Sequence, residues 1–93
     1  MRVAFAKALK NARKSRDLTQ EDFSDVSSRT YLSSLERGKK SPTLDKLQTL
    51  AQTIGIHCLS LIALTYLYSE KEKDLETLLL RIKNEVESVE RKK

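Results

Sequence analysis

The chain has 93 residues, two glycines, one proline and a formal net charge of +5. That length holds one domain with one modest core, and so little Gly and Pro excludes a turn-rich β fold in favour of helices joined by short connections. No run approaches the roughly 18 apolar residues of a membrane span, and the basic N-terminus lacks the apolar stretch and cleavage site of a secretory signal, so a cytosolic protein is expected. The charge is unevenly placed. Residues 1–50 hold eleven Lys/Arg against six acids, whereas residues 51–93 hold seven of each. The whole excess therefore lies in the first half, which suits a polyanionic partner. The lone Cys58 excludes an intramolecular disulfide. With only His57 beside it, too few ligands converge for a metal, and adjacent residues rarely supply Cys–His catalytic geometry. No catalytic, metal or cofactor site is expected.

In chain order, Phe5, Ala8, Leu9 and Ala12 follow i, i+3, i+4, i+7 spacing and predict a first helix over about 3–16, with Lys7, Lys10 and Lys14 on a solvated face. Thr19 is placed to cap a second, short helix from Gln20 to Asp25 or Val26. Glu21 and Asp22 favour its positive end, and Leu18 and Phe23 have the spacing of a hydrophobic staple. Ser27 or Ser28 can cap a third helix that runs to Arg37 and stops at Gly38. Pro42 interrupts, Thr43 caps a fourth helix carrying Leu44, Leu47, Leu50, Ala51 and Ile54 on one face, and Gly55 ends it. A fifth helix is expected from near His57 to Tyr68, and a charged sixth from about Lys71 towards Arg91, with Arg91–Lys93 frayed.

The third helix has two chemically different faces. At about 100° per residue, Arg29, Ser33, Arg37, Thr30 and Ser34 fall within roughly 140°, with Tyr31, Leu32 and Leu35 on the other side. Arginine can donate bidentately to guanine, and short hydroxyls reach bases or phosphates while letting a helix approach a groove closely. The pattern running through this segment is Leu9, Arg13, Leu18-Thr19-Gln20-Glu21, Tyr31-Leu32-Ser33-Ser34-Leu35-Glu36-Arg37-Gly38, then Lys39 to Leu44, Leu47, Ala51 and Gly55-Ile56. Over residues 5–62 it resembles the phage repressor and Cro family of helix-turn-helix transcriptional regulators, the xenobiotic-response-element (XRE) type.

That resemblance implies an all-α fold, a five-helix repressor-like DNA-binding domain over residues 1–68, and the charged helix read from its own pattern adds a C-terminal segment in 69–93. The resemblance implies that Arg29, Thr30, Ser33 and Ser34 face DNA bases, that Gln20, Arg37, Lys39 and Lys40 contact phosphates, and that Arg13 and Glu36 form a structural ion pair. The partner would be double-stranded DNA, with no cofactor and no membrane, in a bacterial or phage-encoded protein. Family members usually place about two more residues, including a glycine, between the second and third helices. Here Asp25-Val26-Ser27-Ser28 requires a tighter turn or a shorter second helix.

Past residue 68 periodicity alone speaks. Leu75, Leu79, Ile82, Val86 and Val89 are spaced 4, 3, 4 and 3 apart, a d-a-d-a-d heptad seam that Leu78 and Leu80 widen at its start. It can fold back on its own domain or pair with a second subunit. Pairing is favoured, because the helix is long for so small a domain and one short reading helix binds weakly alone. A seam two to three heptads deep is marginal in isolation, so Leu61, Leu64 and Leu67 or Tyr68 are expected to join it. The reading is a homodimeric regulator on a pseudo-palindromic operator. A DNA-binding antitoxin with a toxin partner, and a protein-interaction adaptor on the same scaffold, are the alternatives.

Overall fold

Helix α1 (Arg2–Ser15) opens the computed structural model, which describes residues 1–92. Phe5, Ala8, Leu9 and Ala12 are all buried, so the apolar stripe does face inward. A single turn of 3-10 helix at Gln20–Phe23 follows, then α2 (Arg29–Glu36), α3 (Leu44–Ile54), α4 (Cys58–Tyr68) and α5 (Leu75–Arg91). The fold is all-α, with no strand among the described residues. Helix α1 is the centre of the packing, lying against α2 and α4, while α3 packs on α4 and α5 rests on α4. Phe5, Leu9, Phe23, Leu32, Leu35, Leu50 and Leu61 form the inner core, each contributing about 1.5–3 kcal/mol of burial. No single helix is long and apolar enough to cross a membrane.

Side-chain caps set most helix starts. Ser28 Oγ accepts from Tyr31 N–H and Thr43 Oγ1 from Lys46 N–H, both at 3.1 Å. His57 Nδ1 accepts from Leu59 N–H at 3.0 Å, and Asp74 Oδ1 from Thr77 N–H at 2.8 Å. Three expectations change. The second helix contracts to one 3-10 turn, and the chain then winds through Val26 and Ser27, whose N–H groups donate to Phe23 O. The short Asp25–Ser28 connection is made by shortening that helix. Leu44 is not on a buried face: as the first residue of α3 it is 72% exposed. Finally, α5 begins at Leu75 rather than Lys71, because Glu70 takes φ +64 and the first capping side chain beyond it is Asp74. Arg91 is still helical, whereas Lys93 lies outside the described residues.

Gly38 ends α2 in the left-handed region at φ +72. Its N–H donates to Leu35 O and that of Lys39 to Ser34 O, satisfying two of the helix's last carbonyls. A Cβ there would also lie 3.5 Å from Val3 Cα. Gly38→Ala should cost about 1–2 kcal/mol, since the contact is tolerable and the backbone conformation is not. Chemical denaturation measures it; an unchanged midpoint would mean that the loop relaxes freely.

At the other end of the domain Tyr68, the last residue of α4, is tied to α1. Asn11 Nδ2 donates to its hydroxyl at 3.2 Å, and Lys7 Nζ lies 4.9 Å from its ring centroid.

Candidate nucleic-acid interface

A buried ion pair orients α2. Arg13 Nε donates to Glu36 Oε2 at 2.7 Å, Nη2 to Oε1 at 2.8 Å, and Nη1 to Leu18 O at 2.8 Å. One guanidinium thus joins α1, the turn before the 3-10 helix, and the end of α2. The side chains are 9% and 4% exposed, and the carboxylate bond raises the Arg13 pKa further above its ordinary value. Gln20 Nε2 donates to Glu36 Oε1 at 3.2 Å. An amide nitrogen carries two N–H groups, so this bond aims Gln20 and leaves a second donor direction.

Held this way, α2 turns Leu32 and Leu35 inward and presents Arg29 and Thr30 to solvent, with Ser33 half-buried. Ser34 departs from the expected group. It sits at the edge of the polar arc, next to the inward side, and is buried at 7% exposure. Its hydroxyl does not share the open face. Arg37, Lys39 and Lys40 are exposed where the chain leaves α2. Arg37 Nε lies 3.4 Å from Ser33 O, so its side chain runs back along its own helix.

The sequence reading missed Tyr31 and Lys46 as a unit. Lys46 Nζ donates to Val26 O at 2.7 Å, pinning the shortened turn to α3. The same ammonium is 5.4 Å from the Tyr31 ring centroid, and Lys40 approaches that ring to 5.7 Å. Tyr31 therefore braces two cations rather than only filling the core. One signal was available: a lysine in the first turn of a helix opposes the helix dipole and calls for a local acceptor.

Together these residues make one helix face carrying an arginine and short hydroxyls, followed by exposed cations where the chain leaves the helix. Such a surface can donate to base edges and to phosphate oxygens. Among the described residues no cluster of His, Cys, Asp or Glu could hold a metal.

The heptad seam is mostly open. Leu75, Leu79, Ile82, Val86 and Val89 are all exposed, and Leu78 is the only buried residue among those described in α5. On α4, Leu59 and Tyr66 are exposed as well, whereas Leu61 is fully buried in the core and Leu64, Leu67 and Tyr68 are half-buried.

Residues 9–61 match a helix-turn-helix family profile. The chain is 44% identical over 55 residues to the uncharacterized HTH-type transcriptional regulator y4dJ of Sinorhizobium fredii, covering 57% of this chain and 71% of that protein. It is 36% identical over 78 residues to the control protein C.MunI of Mycoplasma sp., covering 80% of this chain and 96% of that protein. No solved structure matches it.

Proposed function

Because this chain belongs to the XRE-type helix-turn-helix family of DNA-binding transcriptional regulators, we propose that it works as a homodimer on a pseudo-palindromic operator. Residues 1–68 are the reading domain and 69–93 the dimerisation segment. Family membership makes the protein regulatory rather than enzymatic. The observation that carries the reading is the open face of α2: Arg29, Thr30 and Ser33 turned outward by the buried Arg13–Glu36 pair, with Lys39 and Lys40 beyond the helix end. Arg29, Thr30 and Ser33 are the base readers; Gln20, Arg37, Lys39 and Lys40 hold phosphates. The uncovered apolar seam on α5 supports the dimer.

Selection from a random duplex pool tests this. The expected product is a two-fold-related site with half-sites about 10–10.5 bp apart, or a multiple of that. A pool that enriches no sequence would favour the adaptor reading instead.

Two substitutions separate reading from holding. Arg29→Ala should cost about 1–3 kcal/mol and relax preference at one base pair per half-site. Lys39→Ala should weaken all sequences alike and lower the salt slope by about one per subunit. Both are measured by binding titrations on operator and scrambled duplexes across a salt series. Equal, sequence-blind losses from both would remove Arg29 from the reading group.

A further inference from the structure

Two features of the C-terminal half have complementary needs. Leu59, Ala63, Leu64 and Leu67 of α4, with Leu75 and Leu79 of α5, line an apolar groove of about 420 Å³, and Arg16 at the end of α1 also lines it. Beyond Leu78 every described residue of α5 is exposed, and Val86 and Val89 stand at 55% and 70%. Around those valines lie Glu85, Glu87 and Glu90, with Lys83 before them and Arg91 and Lys92 after them. One helix end is thus apolar on one side and carries charges of both signs on the others, and the groove is apolar. The end cannot occupy its own groove, because α5 is one continuous helix from Leu75 to Arg91 and the groove lies at its base.

We propose that two copies exchange these ends: the α5 helices run antiparallel, and each distal half lies in the partner's α1–α4–α5 groove. This rests on the homodimer reading above and gives it an orientation and a register. With Leu75 opposite the partner's Val86 and Leu79 opposite the partner's Ile82, the flanking e positions set Glu76 beside the partner's Lys83, twice by symmetry. Parallel helices would leave both grooves empty.

Sedimentation of the unmodified chain comes first; a monomer at every concentration would remove the homodimer reading and this arrangement with it. Given a dimer, Cys58→Ser chains carrying either Leu75→Cys or Val86→Cys are oxidised with diamide, each alone and as a mixture. The expected result is a cross-link in the mixture only. Within a single variant the two thiols would be about 16 Å apart along the axis, too far for a disulfide. Cross-linking of each variant alone would establish parallel helices, and a dimer that cross-links in no combination would place the interface elsewhere. Either result overturns the proposal and leaves the dimer standing. Leu59→Glu tests the groove itself, on a residue 62% exposed and outside α5. It should weaken dimerisation at least about tenfold with an unchanged circular dichroism spectrum. An unchanged dissociation constant would show the groove to be unoccupied.

Discussion

Arg13→Ala should lower the unfolding free energy by about 3–5 kcal/mol, because it strands a buried carboxylate. Glu36 is 4% exposed on its side chain, and without Arg13 its remaining partner in the fold is the Gln20 amide at 3.2 Å. Leu18 O loses its 2.8 Å donor in the same step. For a domain of this size the loss corresponds to a melting temperature lower by roughly 12 °C or more. The effect should hold across ordinary pH on the arginine side. A group whose folded pKa is raised stabilises fully below its unfolded pKa, and for Arg13 that limit lies far into alkali. Sequence preference on DNA should barely change, since Arg13 orients α2 from behind its open face. Thermal melts and selection from a random pool check the two halves of this expectation. An unchanged melting temperature would mean that water reaches Glu36 once the arginine is gone.

Leu79→Lys with Ile82→Lys should abolish dimerisation and lower operator affinity by about 10²–10⁴-fold. Two half-sites add their free energies only when the subunits are held together, so losing the joint costs more than losing any single contact. Both residues are about half exposed, at 50% and 43%, so lysine at either position leaves the subunit's own core intact while placing like charges in the joint. Sedimentation, circular dichroism and operator titration separate the outcomes. A folded monomer that binds poorly supports the joint, and loss of helix content would mean that the seam serves its own domain. A dimer that binds normally would refute the assignment.

Where a structural feature is local, the sequence exposed it. Ser28 and Thr43 cap helices because a hydroxyl one residue ahead of an apolar period has only nearby N–H groups to satisfy. Gly38 and Gly55 both adopt positive φ where the apolar period ends. What escaped depended on neighbours distant in sequence. Ser34 lies on the arc that a helical wheel assigns to solvent, and tertiary packing moved its boundary by one side chain. Lys46 finds its acceptor twenty residues back, at Val26, because the shortened turn swings that carbonyl towards α3. Thr19 caps its turn as the sequence predicts, and the structure adds the return half of a capping box, with Thr19 N–H donating to Asp22 Oδ2 at 2.7 Å. The start of α5 moved, since the charged run at 70–73 reads as helical and only the backbone at Glu70 reveals the break.

The bonds from α1 to Tyr68 bear on DNA spacing. Asn11 and Lys7 fasten the last turn of α4 to the central helix of the domain, so the surface that would receive a second copy moves with the core that carries α2. On the proposed assembly the two reading helices are then held like the jaws of a fixed-gauge caliper, with no slack tether between them. Adding one base pair between half-sites rotates the far site by about 35° around the duplex, and a fixed gauge cannot follow it. Affinity should fall steeply with one base pair added or removed, and inserting a full turn should not restore it. A spacer series in a binding titration reads this directly, and a flat response over several spacings would show that the joint between subunits bends.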